Sequence, residues 1–235
     1  MRLGRCRAAA VAAAVLLLPG AAAAQGLQEQ VAALKNALAE NAAAQRGYSW
    51  IEVTQLSLKG EVKATESNSC QYQAGQEKPV CTLIGAPPEG PKVRGPLRKK
   101  IAAGKIADLK AYMDSVKALV VRYVPLEPAR IQAALQRGDV ALAPNPSNHT
   151  VRMTASNYLQ QGDAVSVTFR QGTHQLMDAS IATWLNDPSA TVTLSVKYAT
   201  LPTGVTFAVS KVLNATAKEV VVSIGSSNFA QPVMQ

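Results

Sequence analysis

The sequence predicts an α+β protein: a curved antiparallel sheet, or half-open β-barrel, covered by an N-terminal helix and an inserted helical lid. Three observations carry this fold class. From residue 151 onward, short runs alternate apolar and polar residues and are separated by tight turn signals, the pattern of an antiparallel meander with one apolar face. Two amphipathic helical segments, near residues 26–46 and 105–123, need an apolar surface to cover. The only such surface on offer is one face of that sheet.

The first residues read as a secretory signal peptide. Arg2, Arg5 and Arg7 precede an apolar run from Ala8 to Leu18, and Pro19-Gly20 and Ala22-Ala23-Ala24 follow. A basic start, a short apolar stretch and small residues at the exit fit a cleaved signal, and the run is too short to anchor in a bilayer. Cleavage is expected after Ala24, giving a periplasmic or secreted protein; Cys6 precedes the apolar run and is not placed for acylation. Residues 1–24 are thus the signal peptide, and residues 25–235 are expected to form a single domain.

Within that domain, Leu27, Val31, Leu34 and Leu38 fall on one face of an Ala-rich helix that ends at Gly47. Strand character begins at Tyr48 and is expected to run to about Glu66. Ile51 and Val53 are odd and Leu56 and Leu58 even, so a bulge between the pairs is expected. Val80 and Leu83 mark a second strand. Cys70 and Cys81, an even pair in an exported chain, are expected to form a disulfide across this hairpin.

Residues 85–104 contain Pro87, Pro88, Pro91, Pro96 and several glycines, and are expected to be a loop. The chain carries a formal net charge of +9, and the mature part of that charge is concentrated between Gly85 and Lys110: Lys92, Arg94, Arg98, Lys99, Lys100, Lys105 and Lys110 are opposed only by Glu89 and Asp108. A solvated loop is the simpler reading of Arg94, Arg98, Lys99 and Lys100, and contact with an anionic membrane surface is the sharper one. Nucleic acid is not expected as a partner: export removes the usual one, and no stacking aromatics interleave the run.

Residues 105–137 are expected to form the lid. Ile106, Leu109, Met113, Val116, Val120 and Tyr123 are spaced 3, 4, 3, 4 and 3, Tyr112 and Leu119 widen the stripe, and Pro125 stops the helix. A short second helix begins near Pro128, carries Ile131 and Leu135 on one face and ends at Gly138. About six strands follow, with apolar faces at Val151/Met153/Ala155, Val165/Val167/Phe169, Met177/Ala179/Ile181/Leu185, Val192/Leu194/Val196/Tyr198, Val205/Phe207/Val209 and Val220/Val222/Ile224.

This order resembles the periplasmic lipoprotein-carrier superfamily with the LolA/LolB-like fold. Tyr48 to Val62 (YSWIEVTQLSLKGEV) is similar to the family's entry into its first strands. Gly162 to Leu176 (GDAVSVTFRQGTHQL) is similar to a mid-sheet hairpin, and Val192 to Val205 (VTLSVKYATLPTGV) to a later one. The resemblance implies an open barrel with a helical lid that holds an apolar ligand. Arg98 and Arg152 are candidates for an arginine that holds the lid, and no motif chooses between them.

Chemistry-bearing motifs are missing from the sequence. There is no G-x-S-x-G, no phosphate-cradling glycine loop and no dinucleotide fingerprint. His149 and His174 are the only histidines, which leaves a usual zinc site without ligands. Asp163 reads as a turn residue and Asp178 as solvent-facing, so a catalytic carboxylate pair is not expected. Asn148-His149-Thr150 and Asn214-Ala215-Thr216 match the glycosylation pattern, which bears only on a eukaryotic secretory route. No enzyme activity, cofactor or metal is expected, and the protein is expected to be a monomer.

The function expected is non-covalent binding of an apolar ligand, a lipid or the acyl chain of a lipoprotein. Its lining is expected from Trp50, Leu56, Leu58, Leu109, Tyr112, Met113, Val116, Val120, Tyr123 and Met153. The stripe on residues 105–123 is equally compatible with ordinary core packing. The alternative function is an envelope protein-binding or sensory module that uses the same curved sheet without lipid.

Overall fold

A computed structural model describes residues 20–76, 78–87 and 95–231 of the chain. The signal-like residues Arg2 to Leu18, Cys6 and Arg94 lie outside the described residues. The polypeptide runs α1 (Gly20–Gln45), β1 (Ser49–Leu58), β2 (Glu61–Gln71), β3 (Val80–Leu83), α2 (Pro96–Val121), α3 (Pro128–Gln136), β4 (Val140–Asn145), β5 (Thr150–Ser156), β6 (Ala164–Arg170), β7 (Leu176–Trp184), β8 (Thr191–Thr200), β9 (Thr206–Ala215) and β10 (Val220–Ala230). Described side chains of α1 begin at Gln28, so the placement of the Leu27 side chain is not among them.

All ten strands form one antiparallel sheet in the order β3-β2-β1-β10-β9-β8-β7-β6-β5-β4. It is curved and unclosed, as the sequence predicts, with β3 and β4 as its edges. Register gives the sheet two chemically distinct faces. Ala155, Val165, Ile181, Leu194, Leu213, Val222 and Leu56 stand in one cross-strand row from β5 to β1. The neighbouring row on the opposite face reads Thr154, Ser166, Ser180, Ser195, Val212, Ser223 and Gln55. The alternation legible in the sequence thus becomes an apolar face that takes the helices and a polar face that takes water.

Three expectations are corrected. The first strand does not run to Glu66: it turns at Lys59-Gly60, both with positive φ (55° and 78°), the two-residue geometry that matches strand twist. Pairing of β1 with β2 is continuous from Ser49 to Leu56 and shifts between Leu56 and Ser57, so no bulge separates Val53 from Leu56. The loop expected over residues 85–104 is helical from Pro96, because proline at the first helical position loses no intrahelical hydrogen bond. Arg98, Lys99 and Lys100 therefore sit exposed on the first turns of α2 rather than in a loop. The strand β4 was also absent from the expectation. Its Pro144 argues against a strand, but β4 is an edge, where a missing N–H is tolerated.

Cys70 and Cys81 are direct cross-strand partners of β2 and β3 and are disulfide-bonded, with Cα atoms 4.1 Å apart. The main core joins Leu34 of α1, Val116, Leu119 and Tyr123 from the α2 region, Ile131 and Ala134 of α3, and the apolar face of β5 to β9. A second, aromatic cluster joins Tyr48, Trp50, Cys70, Val205 and Phe207, with Phe229 packed 4.3 Å from Phe207 between ring centroids. No helix among the described residues is long and apolar enough to cross a membrane.

Candidate ligand cavity

Between α1 and the apolar face of the sheet lies a cavity of about 740 Å³, within the size range of small-molecule sites. Val31, Leu34, Lys35 and Leu38 of α1 form one wall. Val124, Pro125 and Leu126 of the α2–α3 link, with Ile131 of α3, close one side. The floor is Met153 of β5, Val165 and Val167 of β6, Leu176, Ala179 and Ile181 of β7, Leu194, Val196 and Tyr198 of β8, and Ala208 and Lys211 of β9. A smaller recess of about 330 Å³ shares Leu38 and Leu176 with it and adds Glu40, Asn41, His174 and Thr206.

The cover is α1, and its C-terminal end is fastened. The Asn41 carboxamide donates from Nδ2 to the Thr206 carbonyl at 2.8 Å and accepts the Thr206 N–H on Oδ1 at 2.7 Å, as a neighbouring strand would. Gln45 Nε2 donates to the same carbonyl, and just beyond the helix the Tyr48 hydroxyl pairs with Thr203 Oγ1 at 2.7 Å. The turns that carry Val31, Leu34 and Leu38 rest over the cavity itself.

The α2–α3 link is fastened from below. The Tyr123 side chain has no exposed surface, and its hydroxyl donates to Asp163 Oδ2 at 2.6 Å and pairs with Thr183 Oγ1 at 2.7 Å. Burial, reinforced by the Asp163 carboxylate, pushes the Tyr123 phenol well above its ordinary range. Asp163 is 1% exposed and accepts the main-chain N–H groups of Tyr158, Leu159 and Gln160. It is a turn residue, as its place after Gly162 implies, but one buried under the link rather than solvated. Tyr158 stacks on Tyr123 and its hydroxyl accepts the Glu127 N–H at 2.8 Å.

Of the ten residues expected to line a site, Met153 alone lies in this cavity wall. Val116 and Tyr123 are fully buried in the core, while Leu109, Tyr112, Met113 and Val120 are half-buried on α2. Trp50 sits in the aromatic cluster, and Leu56 and Leu58 are half-buried on β1. The lining that sequence reasoning missed was partly in view. Val31, Leu34 and Leu38 were recognised as one helix face, and Val165, Val167, Ile181, Leu194 and Val196 as strand faces; what was missing is that these faces oppose each other across a gap. His149 and His174 are both turn residues with positive φ, and Asp178 is half-buried and accepts from Thr168 Oγ1 at 3.0 Å. Arg152 is exposed on β5, with its guanidinium 3.4 Å from Ser180 Oγ on the polar face, and holds no helix.

No family model matches the chain, and no curated protein matches it closely enough to count as a relative. Solved structures align with the chain at low similarity. A DUF1329 family protein from Desulfovibrio piger superposes with a TM-score of 0.42 at 8% identity, over 88% of this chain and 94% of that one. A LolA superfamily protein from Nitrosomonas europaea superposes with a TM-score of 0.34 at 8% identity, over 80% of this chain and 87% of that one.

Proposed function

We propose that this is an exported protein that holds an apolar chain, of a lipid or an acylated lipoprotein, between α1 and the apolar face of its sheet. The observation that carries the reading is the cavity of about 740 Å³ with aliphatic walls on both sides. Burying a chain there contributes about 0.8 kcal/mol per CH₂, against which the cost of association must be set. Methylenes are alike, so the walls select for chain rather than for a particular molecule. The reading is one of binding without a chemical step, by a monomer. The Cys70–Cys81 bond and the signal-like first residues support export.

Ala179 lies on the cavity floor, in register with Val167 and Val196. Ala179→Trp places an indole where the chain would lie. Native mass spectrometry of protein purified from the periplasm is expected to show bound lipid for the wild type and none for the variant, with thermal unfolding of both still cooperative. A wild type that carries no lipid and takes up no fluorescent fatty acid ends this reading.

A further inference from the structure

The cross-strand row that floors the cavity runs Met153, Val167, Ala179, Val196 and then Lys211. A lysine in an otherwise aliphatic row is a costly choice unless its charge is used, because a half-buried ammonium gives up hydration. Lys211 Nζ donates to Glu52 Oε2 at 3.0 Å, with the two side chains 34% and 18% exposed. That pairing occupies one of three ammonium protons. Lys35 of α1, exposed at the cavity's edge, also lines it, and among the described residues it forms no ion pair. Tyr198 also lines the floor, and burial pushes its phenol above its ordinary range, so it stays protonated and able to donate. Among the described residues, no carboxylate and no arginine lines the wall.

Resting on the binding reading above, we propose that the ligand is a long-chain fatty acid whose carboxylate is received by Lys211 and Lys35, with Tyr198 as an additional donor. With the Glu52 carboxylate taken up by Lys211, the charged and phenolic side chains of the wall offer protons, so an acceptor-only head group fits where a cationic one is repelled. A carboxylate is favoured over a phosphate monoester because the wall lacks the bidentate arginine that suits phosphate and supplies one ammonium not already balanced by Glu52.

The test compares palmitate, hexadecanol, hexadecyltrimethylammonium and a palmitoyl lysophosphatidate as competitors of a neutral fluorescent probe at neutral pH. Wild type is expected to bind palmitate about tenfold tighter than hexadecanol, the gap between a charge-assisted and a neutral hydrogen bond. The ammonium amphiphile is expected to be weakest. Lys35→Met and the paired change Lys211→Met with Glu52→Gln should each shrink the acid-over-alcohol ratio, with the larger loss falling on palmitate. The paired change avoids leaving Glu52 uncompensated, and Lys35 is exposed, so both variants should fold. Glu52→Gln alone should raise palmitate affinity by freeing Lys211. Equal binding of acid and alcohol by the wild type, or an acid-over-alcohol ratio untouched by the lysine changes, overturns the head-group assignment while leaving the cavity reading intact. Tighter binding of lysophosphatidate than of palmitate overturns the choice of carboxylate. Failure of every amphiphile to compete overturns both readings.

Discussion

The Tyr123 hydroxyl donates to the Asp163 carboxylate at 2.6 Å, joining the end of the α2 region to the β5–β6 turn. Asp163 also holds three consecutive main-chain N–H groups of that turn. Asp163→Ala therefore leaves three main-chain N–H groups, one buried and two half-buried, without their acceptor, and the Tyr123 hydroxyl with Thr183 alone; a buried donor left unpaired costs about 1–3 kcal/mol. The expected loss is about 3 kcal/mol or more, a large part of a typical domain's stability. Tyr123→Phe removes one donor and keeps the ring, for an expected loss of about 1 kcal/mol. Urea unfolding of the two variants checks the order; equal losses would show that the turn does not depend on Asp163.

The same contact makes stability fall in alkali. The folded protein raises the affinity of Tyr123 for its proton, first through burial and then through Asp163. The contribution is therefore complete below the unfolded phenol's pKa of about 10 and is lost as pH climbs above it. Stability measured from pH 8 to pH 12 should decline beyond about pH 10, and Tyr123→Phe should flatten that decline. A slope identical in the variant would assign the alkaline loss to other groups.

Asn41 governs how firmly α1 is held. Its carboxamide forms two hydrogen bonds with the main chain of Thr206. Asn41→Ala should cost about 1–2 kcal/mol and, because α1 covers the cavity, speed the exchange of a bound fluorescent fatty acid. Stopped-flow release at unchanged cavity lining measures the second effect, and an unaltered release rate would mean that ligand leaves by another route.

Leu38 and Val116 separate cover from core. Leu38 is half-buried on α1 over the cavity, while Val116 has no exposed surface and packs on α2 within the main core. Leu38→Asp should abolish fatty acid uptake with the sheet still folded. Val116→Asp buries an unpaired charge with nowhere to go and should cost several kcal/mol, enough to unfold the domain. Circular dichroism alongside probe uptake distinguishes these outcomes, and unfolding by both variants would make the Leu38 position core rather than cover.

The first turns of α2 present Arg98, Lys99 and Lys100 beside Leu97, which is 70% exposed, and Ile101, also exposed. Basic and apolar groups side by side on a helix suit an anionic lipid surface. Replacing the three basic residues with Gln should weaken sedimentation with anionic vesicles, and salt should do the same to the wild type. Thermal stability should change little, because these side chains are exposed. Wild-type protein that stays in the supernatant at low salt would exclude this contact.

Much of the architecture is legible in the chain because it is encoded locally. Period-two alternation from Val151 to Ile224 determines a two-faced sheet, Pro128 and Gly138 bracket α3, and Cys70 and Cys81 fall opposite each other in one hairpin. Lys59-Gly60 escaped because lysine at positive φ is not a usual turn signal, and β4 escaped because only its place at the sheet edge makes Pro144 acceptable. The site depended on tertiary structure for a different reason. Helical periodicity reports that a face is buried but not against what: the strong stripe on α2 packs Val116 and Leu119 into the core, while the Ala-rich α1 lies over the gap. Lys211, an ordinary surface lysine by its neighbours in sequence, becomes a charge in an aliphatic row only when five strands come into register. Sequence determines the faces, and the packing of distant elements decides which of them enclose space.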